Sequence, residues 1–236
     1  MLNFDIQLAS GKTMGAYRAM PEGVDDASKL PCVIVIQEIF GVNEGLRGKC
    51  DWLAREGFIA VAPDLFCQFE AGIELSDLVE EELAQAFDYF GQFDVTQGVD
   101  DIRVTYEALK NHPNSNGAVG TMGYCLGGKL AYLSACQIPV KASVGYYGVG
   151  IEELLVKANN IEGQLLLHMA QEDGFVPKDA QEKIISGLAN NDKVICHSYA
   201  GVDHAFTREN GDAYNARAAR KADSRTIEFL KKYLKM

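Results

Sequence analysis

No basic stretch followed by an apolar one opens this chain, so no secretory leader is expected. No apolar run is long enough to span a bilayer, which argues against a membrane protein. C-x-x-C pairs are also missing. The six cysteines, Cys32, Cys50, Cys67, Cys125, Cys136 and Cys196, are scattered. Their spacing speaks against a structural zinc site and a disulfide framework, and fits reduced thiols in a cytosol. Positive charge is scarce: a formal net charge of -11 over 236 residues argues against a nucleic-acid partner. Lys and Arg are absent altogether between Arg55 and Arg103. Linkers, low-complexity tracts and repeats are not found, so one domain over residues 1–236 is expected. At 47% hydrophobic and 23% charged, the composition suits one sizeable core.

Strand and helix patterns alternate. Phe4 to Ala9 and Gly15 to Met20 read as a pair of strands around a turn at Ser10-Gly11-Lys12. Cys32 to Ile36 is a continuous apolar run, as expected of a strand buried on both faces. A helix from Asn43 to Glu56 follows, with Asn43 as N-cap. Gly57 to Ala62 is the next buried strand. Helices are expected over Ser76–Phe90, with Ser76 as N-cap, and over Thr96–Lys110. Further strands are Val140–Tyr147, Gln164–Met169 and Lys193–Tyr199, and further helices Ile151–Lys157, Pro177–Leu188 and about Asp212–Leu234. This alternation predicts an α/β fold with a mostly parallel sheet flanked by helices, its site at the C-terminal strand ends.

The most informative stretch is Gly120-Thr121-Met122-Gly123-Tyr124-Cys125-Leu126-Gly127-Gly128. Gly117-Ala118-Val119 before it reads as strand, and Lys129 to Ala135 after it as helix. Cys125 thus sits at the centre of G-x-C-x-G, a nucleophile elbow with sulfur in place of oxygen. Its neighbours must lack side chains so that strand and helix can approach. The helix N-terminus favours a thiolate, and its amides can hold an oxyanion. A buried core cysteine is the plainer alternative. A dinucleotide-binding turn needs different glycine spacing and an acidic end to the next strand, which here ends in Tyr146-Tyr147-Gly148.

Glu38, Cys125, Asp173 and His204 each follow a predicted strand. The last three come in the order nucleophile, acid, histidine, the order of α/β-hydrolases. His204 can take the thiol proton, and Asp173 can orient the imidazole. His112, His168 and His197 are rival histidines, though the last two lie within predicted strands; Asp203 is a rival acid.

Gln37-Glu38-Ile39-Phe40-Gly41-Val42-Asn43, Gly123 to Gly128, Gly145-Tyr146-Tyr147-Gly148, Asp173-Gly174-Phe175-Val176-Pro177 and His204-Ala205-Phe206 together resemble the dienelactone hydrolase (carboxymethylenebutenolidase) family over nearly the whole chain. The resemblance implies a monomeric, cytosolic α/β-hydrolase without metal or cofactor, acting on a small-molecule lactone or ester. It implies a Cys125–His204–Asp173 triad. Glu38 would hydrogen-bond the resting thiol, then move and take its proton when substrate binds. The amides of Ile39 and Leu126 would form the oxyanion hole. Arg208 would bind a substrate carboxylate, and Phe40, Phe87, Phe90, Tyr147 and Phe175 are expected to line the substrate site. The sequence departs from the family where a second carboxylate-binding arginine belongs: Leu83 stands there. A neutral or bulkier aromatic ester is therefore the alternative substrate, and a non-catalytic ligand binder the alternative function. A thiol redox role is disfavoured, as no resolving cysteine lies near Cys125.

Overall fold

The computed structural model describes residues 1–8 and 11–235. The expected strand end at Ala9 and the turn residue Ser10 lie outside the described residues. Eight strands form a mostly parallel sheet in the order β1-β2-β4-β3-β5-β6-β7-β8, and helices flank it. The chain divides into two compact units, Met1–Gly120 with Lys235, and Thr121–Leu234.

The first unit holds β1 (Phe4–Gln7), β2 (Thr13–Ala19), β3 (Leu30–Ile36) and β4 (Ile59–Pro63). β3 and β4 are parallel, while β2 runs antiparallel to both β1 and β4. Both central strands are apolar nearly throughout, so both faces must be covered. Helix α1 (Glu44–Arg55) packs on β4, β2 and β3, burying Leu46, Cys50, Leu53 and Ala54. Asn43 caps it as expected, its side chain accepting from the Leu46 amide at 3.1 Å. Helix α3 (Val95–Lys110) packs on β3, β1 and β4. Asp94 caps it, accepting from the amides of Thr96 and Gln97.

Helix α2 (Glu80–Gln92) begins four residues later than the sequence pattern suggests. Ser76 is not its cap. The Ser76 hydroxyl accepts from the Leu78 amide, while the Ser76 amide donates back to the Glu82 carboxylate at 2.7 Å. Those bonds make a turn that competes with a helical start. α2 buries only Ala86 completely; Phe87 and Phe90 are exposed, and Tyr89 stacks on Phe69.

Strand β5 (Ser115–Tyr124) runs from the first unit into the second, and is longer than its expected core. The second unit continues with α4 (Leu126–Gln137), β6 (Ala142–Tyr146), β7 (Gln164–Ala170), α5 (Lys178–Leu188), β8 (Val194–Tyr199) and α6 (Ala216–Leu234). β6, β7 and β8 are parallel, so their C-terminal ends share one edge. α4 and α6 cover opposite faces of β6. A Cβ on Gly145 would meet the Gly128 carbonyl of α4, whereas the next side chain, Tyr146, bonds Asp223 and Thr226 of α6. The expected helix over Ile151–Lys157 is two short 3-10 pieces, Ile151–Glu153 and Leu155–Asn160. α6 starts at Ala216 rather than near Asp212, because the chain first turns through Asn210 at φ 67° and Asn215 accepts from the Ala218 amide.

Candidate active site

Cys125 stands between β5 and α4 with φ 55° and ψ -114°, a conformation that costs a side chain-bearing residue on the order of 1–3 kcal/mol. Its neighbours explain how this turn closes. A Cβ on Gly123 would lie 2.0 Å from the Gly127 carbonyl, and one on Gly128 2.6 Å from the Tyr146 carbonyl. No side chain fits either place. The Cys125 amide donates to the Tyr146 carbonyl at 3.0 Å, which ties the elbow to β6. The thiol is half-buried and reduced. Burial pushes the thiols of Cys32, Cys67, Cys136 and Cys196 up to about 11, and that of Cys50 higher still.

Asp173 lies just beyond β7 in a polar turn and is buried. Its Oδ1 accepts from the amides of Phe175 and Val176 at 2.9 and 3.1 Å. His204 lies beyond β8, also buried, with Nδ1 3.0 Å from both Asp173 oxygens. The Cys125 thiol is close enough to act on the imidazole's titration. Burial alone would lower its pKa, but the bond to Asp173, the Cys125 thiol and the two charges raise it to about 10.

The rival residues are placed elsewhere. His168 and His197 lie within β7 and β8, as the strand pattern suggested, and His112 contacts Arg18. Asp203 has a task that the sequence did not disclose: its Oδ1 accepts from the amides of Gly174 and His204 at 2.9 and 2.6 Å. It staples the acid loop to the histidine loop. An acidic residue beside the histidine was the signal available. Thr207 was also missed. It is buried and hydrogen-bonds the Tyr147 hydroxyl at 3.0 Å.

Tyr147 (φ 37°) and Phe175 flank the imidazole edge-on, with ring centroids 4.9 and 4.8 Å from it. Tyr147 is buried and forms the wall behind His204, while Phe175 is exposed at the rim. Arg208 is half-buried in the turn after His204, its amide donating to the Ala205 carbonyl. Glu38, Ile39 and Phe40 directly follow β3 in the first unit, where Phe40 is buried and Glu38 half-buried. Phe87 and Phe90 are on α2. Among the described residues, no group of three or more His, Cys, Asp or Glu side chains could hold a metal ion. Among them, too, no helix is long and apolar enough to cross a membrane.

The family model for the dienelactone hydrolase family matches residues 14–234. The chain belongs to the dienelactone hydrolase family. It is a hydrolase with the α/β-hydrolase fold. A carboxymethylenebutenolidase of Pseudomonas putida is 37% identical over 225 residues, covering 95% of this chain and 94% of that protein. Carboxymethylenebutenolidase 1 of Cupriavidus pinatubonensis is 35% identical over 226 residues, 96% and 94% of the two chains. Among solved structures, a Klebsiella pneumoniae protein provisionally named a dienelactone hydrolase superposes with a TM-score of 0.85 at 27% identity, covering 98% of each chain.

Proposed function

We propose that the protein hydrolyses a lactone or carboxylic ester, with Cys125 as nucleophile and a thioester as intermediate. One observation carries this reading: His204, hydrogen-bonded to Asp173, is coupled electrostatically to a thiol presented at a strained strand-to-helix turn. With the thiol proton on His204, the thiolate attacks the acyl carbon. The Leu126 amide, at the first position of α4, takes the developing oxyanion. The alkoxide or enolate leaves with the proton from His204. The neutral imidazole then removes a proton from water, whose oxygen attacks the thioester. The carboxylic acid and the thiolate result, the proton taken from water is on His204, and the acid gives its own proton to solvent. The Ile39 amide as second oxyanion donor and Glu38 as a gate on the thiol belong to the proposal through the family resemblance.

Quenched reactions with a panel of lactones and esters, read by mass spectrometry, test the reading. An acyl adduct on Cys125, absent in Cys125→Ala together with turnover, is the expected result. Near-wild-type turnover by a folded Cys125→Ala variant would overturn it. So would the absence of an adduct with every ester, which favours a ligand-binding protein on the same frame.

A further inference from the structure

The α6 face of the second unit carries an unbroken buried polar chain that the reaction does not use. Arg225 Nη1 lies 3.1 Å from the Tyr199 hydroxyl, which lies 2.8 Å from His168 Nδ1. His168 Nε2 is 2.9 Å from the Thr226 hydroxyl, and that hydroxyl 2.6 Å from the Tyr146 hydroxyl. Tyr146 reaches Asp223 Oδ1 at 2.9 Å. His168, Tyr146 and Thr226 are essentially without solvent contact.

The proton positions follow from counting donors. The Asp223 carboxylate only accepts, so the single Tyr146 hydrogen goes there. Tyr146 oxygen then accepts from Thr226, and Thr226 in turn accepts from His168 Nε2–H. Burial first, then the charges of His197 and Arg225, push His168 well below its ordinary range, so its Nδ1 is bare. Tyr199 donates to that nitrogen and accepts from Arg225. Every hydrogen points the same way, from the cation to the carboxylate.

The same strand residues act through their backbones on the site. The Tyr146 carbonyl holds the Cys125 amide at 3.0 Å, the His168 carbonyl the Tyr147 amide at 2.7 Å, and the Tyr199 carbonyl the Gln171 amide at 2.9 Å. Those amides begin the elbow, the wall behind His204 and the loop carrying Asp173. We infer that Tyr146, His168 and Tyr199 are positioning residues: the one-way chain anchored on α6 fixes the ends of β6, β7 and β8, and through their carbonyls the nucleophile, the histidine wall and the acid loop. This inference rests on the Cys125 reading for its catalytic meaning, but not for its test.

Thr226→Val removes the central link while keeping the side-chain shape, and Thr226→Ser restores the hydroxyl. The readouts are nitrogen-15 NMR of His168 from about pH 5.5 to 9, around its model-peptide value, and the iodoacetamide labelling rate of Cys125, located by peptide mass spectrometry. Neither depends on turnover. His168 is expected as a single neutral Nε2–H tautomer that does not titrate. Thr226→Val is expected to slow Cys125 labelling about tenfold, as a small misplacement of a reacting group does, and Thr226→Ser to recover it. Leu230→Ala, a fully buried α6 position, is the control for general loosening and is expected to stay within about twofold of wild type, since surrounding structure relaxes around a cavity locally. An Nδ1–H or titrating His168 overturns the inference. So does labelling that is unchanged in Thr226→Val, or equally slowed in both α6 variants. If these results hold but no ester is hydrolysed, the ester reading fails and the positioning stands.

Discussion

His204 Nδ1 is equidistant, at 3.0 Å, from the two oxygens of Asp173. The carboxylate is itself held by the Phe175 and Val176 amides, so it fixes both tautomer and ring plane. Asp173→Asn can still accept those amides through its oxygen but offers an NH2 where Nδ1–H must donate. The fold is expected to survive and kcat to fall on the order of 10³- to 10⁴-fold, as for other triads that lose the acid. Loss of activity only in step with loss of folded protein would count against the orienting role.

The raised His204 pKa also sets a stability window. A group whose folded pKa, about 10 here, exceeds its unfolded value of 6.5 stabilises the fold while it is protonated in both states. The contribution is full below about pH 6.5, declines above it and is lost as the pH passes about 10. The urea midpoint of wild type should therefore exceed that of His204→Gln most at pH 6 and least near pH 10. A gap that widens with rising pH would contradict the assignment.

Asp203 gives a separate handle on loop geometry. Asp203→Ala removes the acceptor shared by Gly174 and His204. We expect on the order of 1 kcal/mol less stability and a kcat loss larger than any change in KM. Asp203→Asn, which keeps an acceptor oxygen, should recover most of both. An Asp203→Ala enzyme with wild-type kcat would leave the staple without a catalytic consequence.

Much of the site was legible because its residues share one rule, the position just after a strand. Cys125, Asp173 and His204 stand out by that rule; all three lie at such positions, and His204 and Asp173 are hydrogen-bonded. The elbow was legible because its glycines have no alternative: Gly123 and Gly128 sit where a Cβ would collide with backbone. The polar chain was not. Tyr146 and Thr226 are 80 residues apart, and no local period encodes their contact. The α2 boundary was missed for a local reason: Ser76 looks like a cap, but its hydroxyl and amide are both spent on a turn. Left-handed backbone at Tyr147 (φ 37°) and Ala205 (φ 60°) was equally hidden, since neither residue type favours it.

The gating role proposed for Glu38 rests on the family resemblance alone. A carboxylate beside a thiol disfavours the thiolate. Glu38→Gln is therefore expected to speed iodoacetamide labelling of Cys125 at pH 7, and a substrate analogue to speed it in wild type more than in the variant. Identical rates in all four samples would remove the gate and leave His204 as the sole proton acceptor.

Substrate charge is the most exposed expectation. The resemblance implies two arginines for a substrate carboxylate, and this chain offers Arg208 but Leu83 in the other place, with no Lys or Arg from residue 56 to 102. α2 instead opens with Glu80, Glu81 and Glu82 and exposes Phe87 and Phe90. A charge-assisted hydrogen bond to a carboxylate contributes about 1.5–3 kcal/mol. Losing one arginine of a pair would then weaken transition-state binding of an anionic substrate by about ten- to a hundred-fold. Neutral or larger aromatic esters and lactones lose nothing by the change. We therefore expect kcat/KM for a neutral lactone to equal or exceed that for a dienelactone of similar size, and Arg208→Ala to lower the anionic value further while leaving the neutral one nearly unchanged. A strong preference for the anionic lactone that disappears in Arg208→Ala would mean that Arg208 suffices for the carboxylate, and that the missing second arginine does not redirect the substrate range.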